Sequence, residues 1–241
     1  MRYWHKKNRI EIDVKGVFVL YTIEVLSTKK HHSMEVAIVG LGNVGGALAR
    51  AFARVGYRVF AGVKDEKEVE KASLDNYHKN VSIHLMEDIG ALADTIFFCV
   101  VPTAITEVCE RVGSLENKLI IDTMNCLHSH PEGYVDTFDA LSELYPKCHV
   151  VKAFNTTGYE NIMHPNFGGV SIDTFMAGND IHAKHQVHKM AKDIGFSECY
   201  DFGDAKTVHL LEELARIWVN LALFQGNGRN IAFKILKRCP Y

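Results

Sequence analysis

Short apolar runs alternate with charged, amphipathic stretches along most of this chain. The runs at 35–39, 57–62, 81–85, 94–101, 118–122 and 150–154 predict strands. Those at 94–101 and 118–122 are nearly continuous in apolar residues, as expected of parallel strands covered on both faces. Between the first two runs, residues 43–55 are rich in Gly and Ala and predict a helix that can lie close to a sheet, with Gly56 as its stop. Residues 65–71 read as an exposed helix. Residues 173–178 and 197–201 predict later strands on either side of a helix over 181–194. Strand and helix signals alternate throughout, which argues for an α/β fold with a doubly wound, mostly parallel sheet of the Rossmann type.

The pattern changes after residue 203. Leu210, Leu214, Ile217, Leu221 and Phe224 recur at helical spacing, widened by Leu211 and Trp218, while Glu212, Glu213 and Arg216 fall away from that stripe. This predicts a long amphipathic helix ending near Gly226 or Gly228, followed by a second helical segment over 230–237. The stripe has two expected uses, packing on the sheet and a homodimer interface beside the active site. The chain therefore divides into an extension at 1–33, a nucleotide-binding domain at 34–203, and a C-terminal helical segment at 204–241 that completes an acceptor pocket or the dimer. The extension reads as a strand-prone, partly mobile arm without chemistry. Its apolar stretch at 17–23 follows a basic start, but Glu24 interrupts it and no small-residue cleavage site follows, so it is not read as a signal peptide.

The most informative motif is Gly40-Leu41-Gly42-Asn43-Val44-Gly45, set between the strand at 35–39 and the helix at 43–55. In that setting the three glycines have separate uses. Gly40 turns the chain tightly, Gly42 lets a pyrophosphate approach the backbone, and Gly45 lets helix and strand pack closely. The helix N-terminus adds free N–H groups and a positive dipole end. A dinucleotide is the expected ligand. NAD binders commonly end the second strand in an acid that takes the ribose 2′-hydroxyl. Here the strand ends Gly62-Val63-Lys64, followed by Asp65. A lysine without the acid favours a 2′-phosphate, so NADP(H) is expected over NAD(H), although Asp65 could turn toward the ribose.

Bulk composition narrows the partners. The 241 residues are 47% hydrophobic and 23% charged, with a net charge of -2, which gives no case for bulk nucleic-acid binding. No apolar run approaches the length of a membrane span. The six cysteines form no C-x-x-C and no zinc spacing, which fits a reducing, cytoplasmic setting. His182, His185 and His188 do not share one helix face, so they read as solvated rather than as a metal site. His128 and His130 read as surface-loop residues. Asn125 and Asn155 each follow a predicted strand end, where open α/β sheets place ligands.

Several segments, in order, resemble the family of NADP oxidoreductases dependent on the deazaflavin coenzyme F-420. They are the glycine loop, the strand 95–102, Ile121-Asp122-Thr123-Met124-Asn125, Val150-Val151-Lys152-Ala153-Phe154-Asn155-Thr156, Phe167-Gly168-Gly169, Met176-Ala177-Gly178-Asn179-Asp180, Gly195-Phe196, the Leu211–Trp218 stretch and Ala232-Phe233-Lys234. That family is similar to the cytosolic reductase domain of the six-transmembrane metalloreductases. The resemblance covers nearly everything from Met34 to Lys237. It implies hydride transfer between NADP(H) and a flat redox partner, with F-420 or a flavin as co-substrate. It places the pyrophosphate on Gly40, Gly42, Asn43, Val44 and Gly45, with Leu41 in the same loop. Val63 and Lys64 would border the 2′-phosphate, and Val101 and Pro102 would line the cleft. Ala153, Phe154, Asn155 and Thr156 would lie under the nicotinamide and its acceptor. Val63-Lys64 stands where the family often has Ser-Arg, Asp204-Ala205 where Pro-Leu is common, and His209 replaces a frequent Arg.

Hydride transfer between two cofactors needs positioning more than a proton-shuttling side chain, so no catalytic residue is required, and Asn155 is the best candidate for one. Two other activities fit the same residues. One is reduction of a small carbonyl or imine, which usually needs a proton donor in the cleft; the C-terminal helix offers only Lys206 near its start, which counts against it. The other is NADP(H) sensing without turnover.

Overall fold

The computed structural model describes residues 9–14, 17–22, 34–74 and 77–238, which fall into two units, Met1–His32 and Ser33–Tyr241. In the first unit β1 (Arg9–Val14) and β2 (Val17–Thr22) pair antiparallel, from Arg9 opposite Thr22 to Val14 opposite Val17. The rest of the expected arm, and its mobility, lie outside the described residues.

The second unit begins with β3 (Glu35–Val39), α1 (Asn43–Arg54), β4 (Arg58–Val63), α2 (Glu66–Leu74) and β5 (Val81–Leu85). It continues with α3 (Ile89–Leu92), β6 (Thr95–Phe98), α4 (Ile105–Val112), β7 (Leu119–Asp122), α5 (Thr137–Leu144) and β8 (His149–Ala153). Then come α6 (Tyr159–Met163), the short pair β9 (Asn166–Phe167) and β10 (Val170–Ser171), β11 (Asp173–Gly178), α7 (Ile181–Asp193), β12 (Glu198–Asp201) and α8 (Val208–Val219). A wider helical turn, Asn220–Phe224, prolongs α8.

Eight strands form one sheet in the order β12-β11-β8-β7-β6-β3-β4-β5. All neighbours are parallel except β11 against β8. The chain runs outward from β3 through β4 to β5, then returns and runs the other way through β6, β7 and β8. The carboxyl ends of β3 and β6 therefore open a crevice where the connections part, the place at which such sheets bind ligands.

Alternation along the strands supplies two cores. Val36 and Ile38 face α1, α6 and α7, whereas Ala37 and Val39 face α3, α4 and α8. The small residues of α1 make the first packing possible: Gly45, Gly46, Ala47, Ala49, Ala51 and Ala53 are all buried. Gly56, at φ +96°, ends α1, and the next N–H, that of Tyr57, returns to Phe52 O at 3.1 Å.

The expected second C-terminal helix over 230–237 does not form. Residues 229–235 run as a strap without regular secondary structure, whose backbone is engaged by side chains. Asn161 Nδ2 donates to Arg229 O and Ile231 O, and Trp218 Nε1 donates to Ile231 O at 2.7 Å. Buried Asp173 accepts from Lys234 Nζ at 2.8 Å and from the N–H of Ile235 at 2.7 Å. These partners occupy backbone groups that an isolated helix would pair internally.

Candidate functional site

The glycine loop leaves β3 in the crevice. Gly40 has φ +93°, and a Cβ there would sit 2.7 Å from Cys99 O. A Cβ on Gly45 would lie 1.9 Å from Gly40 O, so loop and helix touch backbone to backbone. Gly42 is the opposite case: nothing lies within 4 Å of the position its Cβ would take. That open side is a cradle which a side chain would fill. Gly42 is also the N-cap of α1, with no side-chain cap and no acid in the first turn. The helix thus offers its leading N–H groups and dipole to an anion, which fits a pyrophosphate.

A cleft of about 670 Å³ runs along the crevice. Gly40, Leu41, Gly42, Asn43 and Val44 line it beside β3, with Val101 and Pro102 beyond β6. Lys64, Glu68 and Arg111 lie on the β4 side, and Thr123, Met124 and Asn125 on the β7 side. Val63 is buried at the end of β4 and lines an adjoining recess with Leu41, Gly42 and Tyr77.

Asp65 is not the acid at this cleft. Its Oδ1 accepts from the N–H of Glu68 at 2.9 Å and caps α2. Glu68 brings the carboxylate instead, 3.4 Å from Lys64 Nζ, while its other oxygen accepts from the Lys64 N–H at 3.3 Å. Arg111, from the last turn of α4, donates to the Lys64 carbonyl and, at 2.7 Å, to Glu87 Oε1. The guanidinium holds the Glu87 carboxyl below the usual range.

The four residues after Lys152 are buried and do not line this cleft. Ala153 and Phe154 belong to the core, with the Phe154 ring 6.0 Å from Phe97 and 6.0 Å from Phe196. Phe154 has φ +61°, a left-handed turn rare for a bulky residue. Beyond that reversal Asn155 joins the cleft wall through its neighbour. Its Nδ2 donates to Asn125 Oδ1 at 2.8 Å and to Leu211 O at 3.3 Å, and Asn125 Nδ2 donates to Asn155 O at 2.7 Å. Asn155 Oδ1 is buried without a partner among the described residues, an acceptor with spare capacity beside the cleft. Thr156 is buried behind it.

Below this pair lies a charged network. Lys152 Nζ is 2.8 Å from Asp122 Oδ2, 2.7 Å from Glu212 Oε1 and 2.9 Å from Met124 O, with no exposed side-chain surface. Asp122 also accepts from the Met124 N–H at 2.9 Å and from Thr137 Oγ1 at 2.8 Å, and Glu212 accepts from the Cys126 N–H at 2.9 Å. One lysine thus ties β7, β8 and α8 to the 123–126 loop that carries Asn125. Burial alone would lower the Lys152 pKa, but the two carboxylates overcome it and raise it.

The remaining candidates are dispersed. Lys206 and His209 are exposed at the start of α8, where His209 Nδ1 meets Lys206 O at 2.8 Å. His188 pairs with Glu198. Sequence reasoning missed Glu68, Arg111 and the Lys152 network. A lysine inside the apolar run Val150-Val151-Lys152-Ala153 was a legible signal of a buried ion pair. For Arg111 no local signal exists, because its contact partner Lys64 is distant in sequence.

Among the described residues no helix is long and apolar enough to cross a membrane, and no cluster of His, Cys, Asp or Glu is placed to hold a metal. The family described as NADP oxidoreductase, coenzyme F-420-dependent, matches residues 35–126. Metalloreductase STEAP3 of Rattus norvegicus is 25% identical over 182 residues, and the match spans 75% of this chain but only 36% of that protein. A protein of Arthrobacter sp. solved as an F-420-dependent NADP reductase superposes with a TM-score of 0.75 at 25% identity, over 85% of this chain and 100% of its own. A reductive aminase of Aspergillus terreus, solved with NADPH and ethyl levulinate, shares the fold with a TM-score of 0.58 at 18% identity, over 80% of this chain and 63% of its own.

Proposed function

We propose that this chain, whose residues 35–126 match the family of F-420-dependent NADP oxidoreductases, moves a hydride between NADP(H) and a flat acceptor of the deazaflavin or flavin type. The observation that carries this reading is the continuous cleft. It joins Lys64 and Arg111 on the β4 side, the open Gly42 cradle and Asn125, which Asn155 holds from behind, in one space of about 670 Å³. A bound nicotinamide supplies the hydride chemistry. The chain's own residues position it: the loop and α1 hold the phosphates, and Asn125 with Asn155 presents amide groups where the β7 and β8 connections meet. Among the described residues no histidine, tyrosine or aspartate lines the cleft, and its lysine, Lys64, lies on the β4 side, which supports cofactor-to-cofactor transfer over reduction of a carbonyl or imine. Nucleotide sensing without turnover is the third possibility, and the kinetic arm below decides against or for it.

The test combines thermal stabilisation with kinetics. NADPH is expected to raise the melting temperature, because a ligand bound only by the native state stabilises it. NADPH absorbance is then followed with F-420 or FMN as acceptor. Stabilisation without turnover by either acceptor selects the sensing reading, and no stabilisation by NADPH or NADH overturns the dinucleotide site.

A homodimer forms part of the same proposal. Leu210, Ile217, Leu221 and Phe224 stay exposed along one side of α8 and its extension, the apolar stripe that a second copy of the same helix would cover. Ile217→Glu is expected to convert a dimer to a monomer in light scattering, and a monomeric parent protein removes the idea.

A further inference from the structure

The residues after β4 lack the Ser-Arg pair common in the resembling family, yet the cleft beside them is not short of a guanidinium. Arg111 reaches it from α4. Its Nε donates to Glu87 Oε1 at 3.0 Å, and its Nη2 donates to Glu87 Oε1 and to the Lys64 carbonyl. Among the described residues its Nη1 has no partner. Lys64 Nζ is 3.4 Å from Glu68, and both side chains are partly exposed to solvent. Such a loose surface pair is weak and exchanges readily for a stronger anion. A phosphate dianion is that anion, since an arginine fork and an ammonium together match its oxygens.

We propose that Arg111 and Lys64 jointly take the 2′-phosphate of NADP(H), and that Glu68 opposes it, so that the choice between the two nucleotides is set by Arg111 against Glu68. The proposal rests on the dinucleotide reading of the cleft. Its charge arrangement is specific. Arg111 is anchored by Glu87, which lies outside the cleft lining, and so keeps its place when a ligand arrives. Glu68 lines the cleft itself and must yield the Lys64 ammonium. With a bare 2′-hydroxyl, Glu68 becomes an acceptor instead of a repulsive neighbour, which is the role an acid at the strand end plays in NAD binders. A single arginine borrowed from α4 thus replaces a motif missing from the β4–α2 connection.

Binding of 2′,5′-ADP, 5′-AMP, NADPH and NADH to the parent, Arg111→Gln, Arg111→Lys and Glu68→Gln proteins tests this by calorimetry, without an acceptor. Arg111→Gln is expected to weaken 2′,5′-ADP and NADPH by about tenfold or more while leaving 5′-AMP and NADH within about twofold. Arg111→Lys should fall between, because it keeps the charge but loses the fork. Glu68→Gln should tighten the phosphorylated pair and weaken NADH. Equal losses for both pairs in Arg111→Gln would mean that the arginine serves the adenine, and no loss would mean that it serves only Glu87; each overturns the proposal while the dinucleotide reading stands. A parent protein that binds none of the four ligands overturns both.

Discussion

Gly42 and Gly45 are three residues apart and answer to different constraints. Gly42 has free space around its absent side chain, so Gly42→Val is expected to fold normally and lose nucleotide affinity by about tenfold or more. Gly45→Ala puts a methyl carbon 1.9 Å from Gly40 O and is expected to destabilise the protein by about 3 kcal/mol. Urea unfolding and nucleotide titration of both variants separate the two effects. If Gly42→Val binds like the parent, the loop does not cradle phosphates. Asn155 is a third case, since Asn155→Leu keeps the size but strands Asn125 Oδ1 and Leu211 O. Single-turnover hydride transfer should then slow more than NADPH binding weakens, because the pair positions rather than anchors. The places of the glycines and of both asparagines were legible in the sequence because each follows a strand end within a few residues, whereas the Asn125–Asn155 pairing joins separate loops and was not. Glu68 was not. Its importance follows from Asp65 being used as a cap, a competition between two acids on one turn that only geometry resolves.

At the scale of elements, strands buried on both faces announce themselves as unbroken apolar runs, and β6, β7 and β8 were readable for that reason. The strap at 229–235 was misread because Ala232, Phe233, Lys234, Ile235 and Leu236 carry reasonable helix propensity, which Asn161, Trp218 and Asp173 override. The Lys152 network decides how α8 joins the sheet. Lys152→Met leaves two buried carboxylates without their cation and is expected to cost about 3–5 kcal/mol in chemical denaturation. The pH dependence has a definite sign. The folded pKa of Lys152 lies above its unfolded value, so its stabilisation is complete below the ordinary lysine range and disappears only as pH rises through the folded pKa. The parent should therefore show no loss from this residue between neutrality and the ordinary lysine range, and a lysine-dependent loss near neutral pH would refute the assignment.

At the scale of the whole unit 33–241, the two cores and the crevice between β3 and β6 follow from strand order, whereas the closing of the far edge depends on the strap. Asp173 opens β11, is fully buried at its side chain, and has Lys234 and the Ile235 N–H as partners. A chain stopped after residue 228 loses both, and is expected to unfold at a clearly lower denaturant concentration than the parent, by about 3–5 kcal/mol if the carboxylate stays buried and charged. An unchanged midpoint would show that the strap is only draped. The order of synthesis gives this arrangement a direction. Every strand of the sheet emerges from the ribosome before α8 and the strap, so for a time Lys152 has one carboxylate instead of two, and Asp173 has neither partner. Until those residues are made, the sheet's buried charges are electrically unfinished. Residues 208–235 complete two buried charge balances, one beneath the cleft and one near the opposite edge, so that a single C-terminal stretch both closes the sheet and underpins the cleft.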